Sequence, residues 1–176
     1  MVSDGITVRL EGVDELKRAL ADAAAKVRTK AVRGALREAG KAIQQQAKTN
    51  APILKAPARN RRPGTIKRNI TVRPSKFARK GGNEGVYVSV RPLRGSRQKK
   101  LGRAGANNPN DPFYWLFQEF GWQPRAPKKG PRAPRVEGRY FMTAAAQAKG
   151  QEAIARFMSS AIQQIEKLNA KAARVR

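Results

Sequence analysis

Apolar and polar positions along this chain change their period several times, and each change marks an element. Residues 5–10 alternate apolar and polar side chains with β-branched types, which predicts a half-buried strand turned by Gly12. From residue 13 to about residue 50 the period is helical, with Asp14 and Glu15 in the first turn, where the helix dipole favours acids. The apolar positions form two sets, Val13, Leu16, Leu20, Ala24 and Val27, then Val32, Leu36, Ala39, Ile43 and Ala47. A step of five between Val27 and Val32 puts the two stripes on different faces, so either the helix is interrupted near residues 28–31 or it packs on two neighbours. Pro52 ends it, because the residue before a proline avoids the helical region. Thr65 is expected to cap a short turn through Arg68. Residues 69–73 and 86–90 alternate as strands and are expected to pair as a hairpin around a loop carrying Lys76, Arg79 and Lys80.

Residues 113–122 hold six of the eleven aromatic side chains, so the core nucleus is expected there. Phe113, Leu116, Phe117 and Phe120 follow helical spacing and are predicted to form the buried face of a short helix started behind Asp111-Pro112 and stopped at Gly121. Tyr114, Trp115, Gln118 and Glu119 fall on the opposite face. On that reading Phe117→Ala costs about 3–5 kcal/mol as a core truncation. Phe113, Tyr114, Trp115, Phe117, Phe120 and Trp122 are together the candidate core or interface anchors, and because Tyr and Trp dominate interface hot spots, Tyr114, Trp115 and Trp122 are those expected to anchor a partner subunit. Two stretches, 91–112 and 123–138, show no period. In the second, Pro124, Pro127, Pro131 and Pro134 predict an extended arm able to reach a neighbouring subunit. From about residue 140 a second main helix is predicted, with a seam at Ile154, Met158, Ala161, Ile165 and Leu168. The expected fold is α+β, one domain over residues 1–176: a small, mainly antiparallel sheet flanked by a long N-terminal and a long C-terminal helix, with long basic loops at about 91–112 and 123–138.

Charge changes this picture from a generic domain to one that needs a counter-ligand. The chain carries 38 basic and 12 acidic residues, a net charge of +26. Residues 39–110 hold eighteen of the cations and one acid, Glu84. Self-repulsion on that scale points to a polyanionic partner, nucleic acid before an acidic protein surface and either before a membrane. Candidate polyanion-binding residues are Arg61, Arg62, Lys67, Arg68, Arg94, Arg97, Lys99, Lys100, Arg103, Lys128, Lys129 and Arg132. Lys26, Lys30, Arg33, Arg37, Lys41 and Lys48 add a basic row along the first long helix. The chain has no Cys and no His, so thiol nucleophiles, imidazole bases and soft metal sites are excluded, and no cofactor, metal or enzyme activity is expected. Glu119, alone among aromatics, is expected to pair with an arginine. No run of eighteen apolar residues and no signal pattern occurs, so a soluble, unprocessed chain without membrane contact is expected.

Several motifs occur in a fixed order: Gly12, Asp14, Glu15 and Leu16 leading into the first helix, Ala47-Lys48 with Ala51-Pro52 at its end, then Pro63-Gly64-Thr65-Ile66-Lys67-Arg68-Asn69-Ile70, then 114–121, then Arg139-Tyr140-Phe141-Met142-Thr143-Ala144-Ala145. This order resembles the small neck and tail-completion components of long-tailed double-stranded DNA bacteriophages. Pro63 and Trp122 stand where that family usually has Thr, and Tyr140 and Thr143 where prolines are common. The resemblance implies a structural virion protein of the head–tail connector, assembled in the host cytoplasm. It would form or join a homo-oligomeric ring, six copies being one stoichiometry, with other neck, connector and tail-tube or terminator proteins. A ring on the DNA path multiplies weak, sequence-independent phosphate contacts. The alternative reading is a sequence-independent nucleic-acid-binding protein of the cell.

Overall fold

The computed structural model describes residues 13–22, 25–56, 60–125 and 130–173. In chain order they form α1 (Val13–Asp22), α2 (Ala25–Asn50), α3 (Thr65–Asn69), β1 (Ile70–Pro74), α4 (Lys76–Lys80), β2 (Val86–Val90), α5 (Ser96–Leu101), α6 (Trp115–Phe120) and α7 (Phe141–Ala173). The class is α+β, with a two-stranded antiparallel sheet between a long N-terminal and a long C-terminal helix in sequence. The strand expected at residues 5–10 lies outside the described residues. The chain divides into two compact units, one of Met1–Ala42, Val72–Tyr87 and Lys149–Arg176, the other of Ile43–Thr71 and Val88–Ala148.

In the first unit Leu16, Ala31, Ala35, Ala161 and Ile165 make a buried core, with Val27, Phe157, Met158, Ile162 and Leu168 packed around it. α2 runs unbroken through residues 28–31, so of the two alternatives at that step the interruption is not the one seen. The buried stripe also differs: Ala31 and Ala35 are fully covered, while Val32 and Leu36 are half-buried. Helices approach closest where side chains are single methyl groups, so alanines take the contact line and branched residues flank it. Gly34 serves the same packing, since a Cβ there would collide with the Gln164 side chain. The α7 seam holds at Met158, Ala161, Ile165 and Leu168 but begins at buried Ala153, not at exposed Ile154. Arg33 donates from Nε and Nη2 to both carboxylate oxygens of Glu84 at 2.7 Å, tying α2 to the segment before β2.

The second unit is built on Ala47, Ala51, Ile66, Ile70, Val90, Phe141 and Ala145. Arg91 N donates to Asn69 O at 2.8 Å beyond one end of the hairpin, and Ser75 N to Gly85 O at 2.8 Å beyond the other. Both bonds fit one register without a bulge, which sets Arg73 opposite Tyr87 with its guanidinium 5.6 Å from the ring centre. Thr65 is not the cap of α3. Gly64, in the left-handed region at φ 72°, occupies that place, and buried Thr65 instead sets its hydroxyl 3.0 Å from the carbonyl oxygens of Arg62 and Pro109.

The two aperiodic stretches have more structure than their composition predicts. Within 91–112 lies α5, and the loop after it folds around Asp111 and Asn108. The Asp111 carboxylate is buried and accepts from Leu93 N at 3.3 Å and Gly105 N at 2.8 Å. Asn108 Nδ2 donates to Leu101 O and Arg103 O at 2.8 and 2.9 Å. The proline-rich stretch is not a free extended arm at its base: Trp122 and Val136 exchange both backbone hydrogen bonds, at 3.0 and 2.9 Å, and close it into a loop.

Candidate functional site

α6 is too short for apolar spacing to fix its rotation, and its orientation is set by its one acid. Glu119 is 1 % exposed. Its Oε2 accepts from Met142 N at 2.8 Å, and its Oε1 accepts from Thr143 N at 2.9 Å and Thr143 Oγ1 at 2.7 Å. A carboxylate thus satisfies the free N–H groups at the positive end of α7. The expected arginine partner is replaced by a helix terminus. Around this joint Arg139 N donates to Gln118 O and Tyr140 N to Glu119 O, at 2.8 and 3.0 Å. Gly121 (φ 77°) and Gly138 let the two backbones touch, since a Cβ on either would overlap the other strand's main chain.

This anchoring inverts the predicted faces of α6. Tyr114 and Trp115 pack on the core of the second unit, whereas Leu116, Phe117 and Phe120 are about half exposed. Phe113 is half-buried and meets Tyr114 edge-on at 5.4 Å. Trp122 is 43 % exposed and lies 6.3 Å from Phe117, and Phe120 stands edge-on to Tyr140 at 6.4 Å. The aromatic cluster is therefore divided: one side serves the core and the other faces outward.

The cations sort in a similar way. Asn60 reaches Asn107 and Arg62 reaches Asn110, both at 3.4 Å, and Thr65 joins Pro109, so the 60–69 and 94–111 segments lie side by side. Lys67 and Arg68 on α3, with Arg62, Arg94, Lys99, Lys100 and Arg103, are exposed on this paired surface. Two of the expected ligands turn inward. Arg61 stacks 5.0 and 4.4 Å from the ring centres of Phe113 and Tyr114, with its Nη1 buried and lacking a hydrogen bond. Arg97 donates to Asn69 Oδ1 at 2.5 Å and to Arg91 O at 3.3 Å. Burial, and then the charge of Arg91, lower the Arg97 pKa against the opposing pull of Asp111. Burial raises the Tyr114 pKa, with Arg61 and Arg68 opposing it. Arg132 is exposed on the proline-rich loop, while Lys128 and Lys129 lie outside the described residues.

Among the described residues the ion pairs are Lys17–Asp14, Arg33–Glu84, Lys41–Glu38, Lys149–Glu152 and Arg156–Glu152. None involves a cation of the paired surface. Asp111 and Glu119, which periodicity did not mark as functional, are both engaged by backbone N–H groups. Their signal was positional: each is a single acid among cations or rings, Asp111 directly before Pro112 and Glu119 two residues before Gly121. Among the described residues no group of three or more His, Cys, Asp or Glu could hold a metal ion, and no helix is long and apolar enough to cross a membrane.

The described residues thus leave two groups exposed, the cations of the paired segments and the aromatic residues of α6 and its flanks. The profile of the family described as "Bacteriophage HK97-gp10, putative tail-component" matches residues 14–121, more than half of the chain, and the chain belongs to that family. Membership makes it a structural phage tail component, with the virion as its location and other virion proteins as its partners. No curated protein and no solved structure matches the chain.

Proposed function

We propose that the protein is a subunit of the head–tail joint of a long-tailed double-stranded DNA phage, in a ring with copies of itself and with neck, connector and tail-tube or terminator proteins. The exposed cations of the 60–69 and 94–105 segments face DNA in the channel or an acidic neighbouring ring. One observation carries this reading: those cations are held in a hydrogen-bonded frame yet, among the described residues, take no part in the ion pairs of their own subunit. A surface of this kind binds phosphates without sequence preference, which suits a conduit through which any genome sequence must pass. Repetition around a ring adds the weak contacts of each subunit. Family membership weighs against a free nucleic-acid-binding protein of the host. Analytical ultracentrifugation of the purified chain, alone and with co-expressed neck and tail proteins, tests the assembly. It should sediment as an oligomer or join one, and a monomer indifferent to those proteins contradicts the proposal.

A further inference from the structure

The outward side of the aromatic cluster is an apolar feature of the second unit that the fold leaves uncovered. Leu116, Phe117, Phe120, Trp122, Val136 and Tyr140 are each between 43 and 51 % exposed. Phe117 lies against Trp122, Phe120 against Tyr140, and Trp122 bridges to Val136, and the i, i+3 and i, i+4 spacing of Phe117 and Leu116 to Phe120 on α6 joins the sets. Contiguous exposed apolar groups of this size mark contact surfaces, whereas single ones need no explanation. The position of the ridge is also well defined, because Glu119, Gly121 and Gly138 fix the backbone beneath it.

Its surroundings specify the partner. Arg125, Arg132, Arg135 and Arg139 are exposed in the segments that carry the ridge, with Glu137 as their single exposed acid among the described residues. Arg135 Nη2 donates to Phe120 O at 3.0 Å, which holds that guanidinium at the edge of the rings. An apolar centre with one arginine at its edge and others in the flanking segments is complemented by an apolar centre with an acidic rim, and like charges brought together there would oppose docking. A second copy of this chain is a poor source of such a face. Of the acids whose side chains are described, Asp14, Glu38, Glu84 and Glu152 are in ion pairs, and Asp111 and Glu119 are bonded to backbone N–H groups. That leaves Glu15, Glu137 and Glu166, spread along a chain with 38 cations. Nucleic acid would answer the arginines but not Leu116 and Val136, which offer no ring for base stacking.

We infer that the ridge at 116–122, with Val136 and Tyr140, is the docking face for a different virion protein, one that presents apolar residues ringed by Asp and Glu. The inference rests on the proposed place in the particle. The test uses the full chain assembled in infected cells, with a photo-crosslinking benzoylphenylalanine at position 117 or 120, where the exposed rings tolerate the larger group. An unchanged melting temperature checks the fold. After irradiation, the expected result is one adduct per position, to a single other virion protein, at a peptide with Asp or Glu beside apolar residues. Adding Arg125→Glu with Arg139→Glu should cut the adduct yield tenfold or more without lowering the melting temperature. Adducts between two copies of this chain, adducts to DNA, or no adduct in particles that contain the chain would each overturn the inference while leaving its place in the particle intact. A chain missing from particles removes the particle reading, and with it this partner, on immunoblotting alone.

Discussion

Glu119 sets the orientation of α6 and with it the division of the aromatic cluster. Its three hydrogen bonds satisfy two α7 N–H groups and one hydroxyl that burial would otherwise leave without partners. Glu119→Ala should therefore lower the unfolding free energy by about 2–4 kcal/mol, measured by urea denaturation. A change near zero would mean that the joint is not a cap. Two departures from the family pattern fit this arrangement. Tyr140 has φ 47°, a value closed to proline, and Thr143 supplies an N–H that proline lacks. Phe117 shows the reverse case. Read from spacing it is a core residue, but at 48 % exposure its truncation to Ala should cost only about 1 kcal/mol. A loss of the 3–5 kcal/mol typical of a buried ring would restore the predicted orientation of α6.

Elements were legible in the sequence wherever a period ran long enough to be unambiguous. β2 is found at the residues whose alternation predicts it, β1 is displaced by one residue, and the α7 seam holds over four of five positions. Short elements were not legible, because one or two turns contain too few apolar positions to define a face. α6 reversed its faces, and α4 and α5 lay in segments read as loops. The order in 91–112 comes from the side chains of Asp111 and Asn108 satisfying backbone groups, a signal that hydrophobic patterning does not contain. One connection between elements depends on pH. The hydrogen bond from Arg33 holds the Glu84 pKa below its ordinary 4.5, with the charges of Arg33 and Arg79 adding to it against a smaller desolvation effect. The folded value is depressed, so the contribution is present above the ordinary carboxylate range and lost as pH falls through the folded value. The melting-temperature difference between the native chain and Glu84→Gln should accordingly shrink on acidification below pH 4.5. A difference independent of pH would show that the pair does not link ionisation to folding.

For the whole molecule the central fact is where its acids are spent. A chain with 12 acids against 38 cations engages six of the acids in ion pairs on its helices and at Glu84 or in backbone hydrogen bonds at Asp111 and Glu119, and among the described residues no ion pair reaches the exposed cations of the paired basic surface. The sequence showed the excess; only the folded chain shows that Arg61 and Arg97 are withdrawn from it and that the 60–69 and 94–111 segments share one face. Replacing Lys99, Lys100 and Arg103 by Ser should leave the melting temperature unchanged and weaken binding to a double-stranded DNA fragment. The slope of log K against log salt should fall by on the order of 2 to 3, about 0.9 for each phosphate contact removed. Equal loss of stability and binding would assign these residues to the fold instead. The most direct measurement is imaging of the assembled phage particle at side-chain resolution. The expected result is several copies of the chain around the tail axis at the joint with the head, with Arg62, Lys67, Arg68, Lys99, Lys100 and Arg103 facing DNA or acidic residues of a neighbouring protein. Copies absent from that joint, or copies in which these cations face only solvent, would contradict it.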